Sequence, residues 1–291
     1  MSEYGQVVWP SPENPVWKLD YRLVDSPDAE GIVVAHAYYR GQEVLYKASL
    51  PSLRVQYDNN YTGPFKDSLH YGNAQFQNGA AKKVRAYTYS SFGLQALVLE
   101  AFYQIGWYKL IQRWTFWQNG QISPRLYSSG IIEHKNHSHH VYWRFDFDIN
   151  GAGNNLALEY NTYDTDHGWG KGWHTKAHEI TRTKYPSANR AWAVLNKSTT
   201  RGYVILPGDH DGTADSFSTS DCWVMHYHAT EDKHGNQGSA YSDDLQPYLN
   251  GENTDGQDVV LWYCAHLRHV ADGETGDEWH HAGPELIPFR Y

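Results

Sequence analysis

Apolar and polar residues alternate in short bursts along this chain rather than recurring at helical spacing. Stretches rich in β-branched and aromatic residues run from Gly31 to His36, Glu43 to Ala48, Ala96 to Tyr103, Trp114 to Trp117, Val141 to Ile149, Ala191 to Leu195, Tyr203 to Leu206 and Asp258 to His266. Each has the length of a strand, and turn-forming residues separate them. Asn119-Gly120 and Asn150-Gly151 are the strongest turn dipeptides, because both residue types tolerate positive φ, and the first follows Trp114 to Trp117 as a hairpin turn would. The 3.6-residue period is weak throughout and no fixed-period repeat emerges. The pattern predicts an all-β (mainly β) fold, a large antiparallel β-sandwich.

The region from about Asp209 to Asp255 is the least hydrophobic, and is expected to be a long excursion from the core, with Gly235 to Ser239 as a loop. No linker marks a boundary, so residues 1–291 are expected to form a single domain. A net charge of −9 argues against a sequence-independent nucleic-acid binder, which needs a basic surface. No apolar run approaches the eighteen or so residues of a membrane helix, and the opening Met-Ser-Glu-Tyr-Gly-Gln lacks the basic and apolar regions of a signal peptide. The expectation is a soluble, cytoplasmic chain. Cys222 and Cys264 make no disulfide framework at this length and are expected to be reduced, buried thiols.

Candidate chemistry centres on His137-Ser-His139. In an extended strand, side chains two apart share a face, so both imidazoles can reach one cation while Ser138 points away. Neutral imidazole suits copper, zinc, iron or nickel, and two ligands are too few for a stable site. The apolar segment that starts at Asp258 ends in histidines, and either His266 or His269 could complete the set; spacing alone does not choose. Trp279-His-His281 and Met225-His-Tyr-His228 are further pairs, expected to be surface clusters, and Asp166 to His174 is expected to cap a sandwich edge.

Several blocks together resemble the catalytic domain of copper amine oxidases. Gly31 to Leu50 resembles that domain's opening hairpin and the strand entering its core. Trp114 to Ile122, followed by Ser129-Gly-Ile-Ile-Glu133, resembles the hairpin after the cofactor strand. His137-Ser-His139 with Arg144-Phe-Asp-Phe-Asp-Ile-Asn-Gly151 resembles the copper strand. Asn189 to Asn196, Gly202 to Gly208 and Asp258 to Tyr291 continue in the family's order. The resemblance runs from about residue 17 to the end and implies a minimal catalytic sandwich without the family's N-terminal domains, shortened between Tyr57 and His137.

Carried over residue by residue, the resemblance implies copper held by His137, His139 and His269, the last placed by counting from Trp262. The tyrosine that copper and dioxygen convert to trihydroxyphenylalanine quinone (TPQ) lies six residues before a strand tryptophan, here Tyr108 before Trp114. The catalytic aspartate, four residues before a Tyr-Gly pair, falls on Asp67 before Tyr71-Gly72. A tyrosine that hydrogen-bonds the quinone falls on Tyr57. A second, calcium-type site would use Asp146, Asp148 and Asp258 with the carbonyls of Phe147 and Val259, since oxygen-only ligands suit a hard cation. By parity, Asp146 and Asp148 should face away from His137 and His139.

The implied activity is oxidation of a small-molecule primary amine to an aldehyde, with O2 reduced to H2O2, in a homodimer. A carboxylate such as Asp67 suits the base if burial raises its pKa. The chain departs from the family beside the cofactor position: Gly106-Trp107-Tyr108-Lys109 has Trp where the family has Asn, and Lys where it has Asp or Glu. This leaves open a copper enzyme without the quinone, running another oxidation or a cyclisation at the three-histidine site. A non-catalytic homologue that binds copper or a partner also stays open.

Overall fold

The alternating stretches fold into strands of two facing sheets. The computed structural model describes residues 1–25, 29–59, 61–130, 135–162, 171–231, 245–271 and 278–291. In the first half of the chain the strands are β1 (Ser2–Trp9), β2 (Trp17–Val24), β3 (Ile32–Tyr39), β4 (Gln42–Tyr57), β5 (Phe65–Asp67), β6 (Ala74–Gln75), β7 (Arg85–Ser91), β8 (Leu94–Ile105), β9 (Tyr108–Trp117) and β10 (Ile122–Ser129). In the second half they are β11 (His137–Phe147), β12 (Asn155–Asn161), β13 (Gly172–Lys176), β14 (Ile180–Arg182), β15 (Ala191–Asn196), β16 (Gly202–Leu206), β17 (Cys222–His226), β18 (Val259–His269), β19 (His280–Ala282) and β20 (Glu285–Phe289). Among the described residues, no helix is long and apolar enough to cross a membrane.

The first sheet has the order β1-β2-β3-β4-β11-β18-β17-β14, with β5 paired to β4. The second runs β13-β12-β15-β16-β20-β10-β9-β8-β6, with β19 on β10 and β7 on β8. The pairings between these strands are antiparallel, as the alternation predicted. Trp114 of the second sheet meets Trp143 of the first edge-on, with ring centroids 5.2 Å apart, and Trp17 packs on Phe116 at 5.2 Å. These buried rings tie the layers together.

β11 is central, between β4 and β18, and almost every one of its side chains is buried. Val141, Trp143, Phe145 and Phe147 belong to the main core between the sheets. Tyr142 belongs to a smaller cluster with Trp223, Met225, Val260, Trp262 and Cys264, which covers the outer face. The ladder with β4 is irregular between Tyr142 and Arg144, where two residues of β4, Leu50 and Pro51, stand opposite Trp143 alone. Proline cannot donate to the ladder, so the bulge falls there and β11 keeps its alternation from His137 to Phe147.

One sequence expectation changes. The Asp209 to Asp255 region is not wholly an excursion: β17 lies within it, pairs with β18, and buries Cys222, Trp223, Val224 and Met225. Four buried residues between polar flanks are too short a run to shift a regional hydropathy. The Asn119-Gly120 hairpin forms between β9 and β10, whereas Asn150-Gly151, both at positive φ, carries the chain from one sheet to the other. Cys222 and Cys264 are buried and not joined in a disulfide, as expected. Ile131 to Glu133, Asp166 to Gly170 and Gly235 to Ser239 lie outside the described residues; Trp173 and His174 stand on β13, an edge strand of the second sheet.

Candidate active site

Strand parity brings three histidines to one point between the sheets. His137 and His139 sit at the start of β11 on the core side, and His269 ends β18 directly opposite His137 in the ladder. All three are buried, and their ligand atoms lie within 4.8 Å of one another. His137 Nε2 is 3.2 Å from His139 Nε2, and the His137 and His269 rings stack at 4.7 Å. His266, the other candidate for the third position, lies on the opposite face of β18, where its Nδ1 is 2.8 Å from His140 Nδ1 and its Nε2 meets Asp221 at 2.7 Å.

The surroundings of the three imidazoles orient one and hold the other two in the neutral form a metal needs. His137 Nδ1–H donates to the Lys135 carbonyl at 3.0 Å, which leaves the Nε2 lone pair turned toward His139. Burial holds His139 far below the ordinary histidine range, with the neighbouring His137 and His269 adding to the effect. Burial likewise lowers His269 to about 3. Imidazole nitrogens clustered in this way fit copper, zinc or iron and do not fit a hard cation such as calcium.

Tyr108 and Tyr57 complete the chamber from opposite sheets. Tyr108 opens β9 and packs against His137 at 5.3 Å and His139 at 4.9 Å. Tyr57 ends β4 beside His137 in the ladder, and its hydroxyl hydrogen-bonds that of Tyr108. Burial raises both phenols, and the nearby Asp67 charge adds to each. Asp67 ends β5, opposite Leu53. Its Oδ2 is buried with no hydrogen-bond partner among the described residues, and desolvation lifts its pKa to about 7.

The departures beside Tyr108 point outward. Trp107 is 71% exposed and Lys109 is exposed, while Tyr108 is 6% exposed. Lys109 is not among the groups that shift the Tyr108 phenol. The extra bulk and the reversed charge therefore face solvent rather than the histidines. At Gly130 the backbone is in the left-handed region, and an added Cβ would lie 2.7 Å from the Trp107 carbonyl, so glycine permits the chain to pass this close to Tyr108.

A second cluster sits on the outer face of β11. Asp146, Asp148 and Asp258 bring carboxylate oxygens within 4.8 Å of one another, on the parity opposite to His137 and His139. Asp146 is also paired with Arg144 at 3.1 Å. Burial, and then the Asp146 charge, raise Asp148 to about 6 and Asp258 to about 7. The Phe147 carbonyl accepts from Asn155 Nδ2 at 3.4 Å, and Val259 stands opposite Phe147 in the ladder.

Sequence reasoning missed three contacts of the histidine group. The Ser128 hydroxyl lies 3.5 Å from His139 Nε2, and the Lys135 carbonyl orients His137. His280 is not simply at the surface: it is half-buried, with its ring 4.7 Å from that of His269. A serine or a carbonyl carries no sequence signal for such a role, but the His280-His281 pair did carry one.

The family model described as "Copper amine oxidase, enzyme domain" matches residues 133–276. This segment belongs to the copper amine oxidase family. It contains His137, His139 and His269 and all three aspartates of the second cluster, whereas Tyr57, Asp67 and Tyr108 lie before it. The fold agrees over nearly the whole chain. A copper-containing benzylamine oxidase from Hansenula polymorpha superposes with a TM-score of 0.70 at 16% identity, covering 97% of this chain and 62% of that one. An Aspergillus nidulans amine oxidase gives 0.68 at 17%, over 95% and 51%, and a Pichia pastoris lysyl oxidase gives 0.67 at 15%, over 95% and 52%. The chain thus spans about half to three fifths of the length of these copper amine oxidase structures. No curated protein matches it.

Proposed function

We propose that this domain is a copper-dependent amine oxidase, with copper on His137, His139 and His269 and a TPQ-type quinone formed from Tyr108. The observation that carries the reading is the convergence of three buried imidazoles beside a buried phenol, which His137 and His139 touch through ring contacts. When bound, copper and the quinone would supply the two-electron oxidation of a primary amine and the transfer of those electrons to dioxygen.

The residues of the chain have separate tasks. Tyr57 holds the Tyr108 oxygen through the shared hydrogen bond and so fixes the ring's direction. Asp67 is the general base for the proton on the carbon next to the amine nitrogen. A carboxylate with a pKa of about 7 accepts a proton at neutral pH far better than one near 4, while half of it remains ionised. Burial of the chamber keeps water from the reacting groups. Family membership supports a primary amine and dioxygen as reactants and a homodimer as the assembly. The carboxylate trio Asp146, Asp148 and Asp258, with the Phe147 and Val259 carbonyls, is proposed as a calcium-type site.

The test is an absorption spectrum and metal analysis after aerobic copper loading, repeated with phenylhydrazine. A visible band that shifts with the reagent, at one copper per chain, supports the quinone and the amine oxidase reading. Copper without a band removes the quinone and leaves metal-only chemistry at the three histidines. No bound copper rejects the reading.

A further inference from the structure

We infer that His226, His228 and Glu252 form a separate, solvent-accessible site for a zinc-class divalent cation at the far end of the first sheet. His226 is the last residue of β17 and His228 follows two residues later, so both project to the same side while Tyr227 packs against the outer-face cluster. Glu252 faces them. Its Oε2 lies 2.7 Å from His228 Nε2 and its Oε1 lies 3.7 Å from His226 Nδ1. The ligand atoms of the three lie within 4.8 Å of one another. His226 Nδ1 is buried without a hydrogen-bond partner among the described residues, although the residue as a whole is about one-third exposed. A donor atom turned inward beside an accessible carboxylate is the arrangement a cation completes.

The supports are built as well as the ligands. Glu179 clamps the two segments together: Oε1 accepts the His226 N–H at 3.1 Å, and Oε2 accepts the N–H groups of Asn250 at 2.9 Å, Gly251 at 3.1 Å and Glu252 at 3.4 Å. The Asn250 side chain donates to Glu252 Oε2 at 2.9 Å and orients it. One carboxylate thus fixes the backbone of two of the three ligand residues, which is the role that supporting hydrogen bonds play around metal ligands. Two imidazoles and one carboxylate leave a fourth tetrahedral position for water, a donor set that zinc and cobalt share. For a cation to take His228 Nε2, the ring proton that now meets Glu252 there relocates to Nδ1 by exchange with solvent, so the ring binds as an imidazole.

This site does not depend on the copper reading. His226 pairs with Val259 at one end of β18 and His269 lies at the other, ten residues away, about 33 Å at strand rise. The test is titration of the metal-free full chain with Co2+, followed by metal analysis and the visible spectrum of four-coordinate cobalt. The expected result is that His228→Ala and Glu252→Gln each lose one equivalent of cobalt per chain while His139→Ala keeps that equivalent. Glu179→Gln should weaken it by about 10–100-fold, the range for a lost supporting hydrogen bond. A circular dichroism spectrum of each variant separates loss of the site from loss of the fold. Folded His228→Ala and Glu252→Gln variants that bind as much cobalt as the wild type would overturn the inference.

Discussion

His137 and His269 stand directly opposite each other in the β11–β18 ladder, their rings stacked at 4.7 Å with an interplanar angle of 9°. The ladder fixes where both side chains start, and burial packs the two rings against each other. The donor set is therefore fixed by the sheet before any metal arrives, and removing one member should not be compensated by a neighbour. His269→Ala is expected to lower copper affinity by more than about a hundredfold, beyond the effect of losing a supporting hydrogen bond. His266→Ala, on the opposite face, should leave the copper content unchanged. Metal analysis after dialysis reads both.

Asp67 sets the pH dependence of the proposed reaction. It acts as base only when ionised, so kcat should rise with pH through about 7, where burial places its pKa. Asp67→Asn should lose about 10²–10⁴-fold in kcat and with it that limb of the profile. An Asn variant that retains the limb assigns it to another group.

Tyr108→Phe should retain copper but show no band with phenylhydrazine. Trp107→Ala should change stability by less than about 0.5 kcal/mol and leave the band intact, because the indole faces solvent. A band lost in Trp107→Ala would give the departure from the family's sequence a direct role in forming the quinone.

The aspartate trio makes a prediction of opposite sign to the usual carboxylate. Asp258 is raised to about 7 in the folded chain, well above its unfolded value near 4. Its contribution to stability is fully present below pH 4 and is lost as pH rises through 7. Metal-free Asp258→Asn should therefore melt higher than wild type at pH 8, and the gap should close toward pH 4. Added Ca2+ should raise the wild-type melting temperature at pH 8 and leave the variant nearly unmoved.

Trp114 joins the sheets through Trp143 and donates its indole N–H to the Ile32 carbonyl at 3.1 Å. Trp114→Ala should cost about 3–5 kcal/mol, read as a lower urea midpoint at unchanged m.

The parity of β11 was legible in the sequence, because no proline or glycine interrupts it and the bulge falls on β4. Two-residue periodicity alone placed His137 and His139 on one face and Asp146 and Asp148 on the other. The choice between His266 and His269 was not legible that way, since it depends on which residue of β18 meets which residue of β11. That register is long-range, and family resemblance supplied what local spacing lacked. The outward direction of Trp107 and Lys109 was written in β9, where Tyr108, Leu110, Gln112, Trp114 and Phe116 share the buried parity. β17 was hidden because its partner strand lies more than thirty residues further along the chain.

The three histidines belong to one sheet and Tyr108 to the other. The gap between phenol and metal ligands is therefore a thickness of the sandwich, gauged by whatever fills the layer beside it. Trp114 and Trp143 act as shims. A substitution that lets the sheets settle closer or spread apart would retune the chemistry from a distance, with every catalytic side chain still in its place in the sequence.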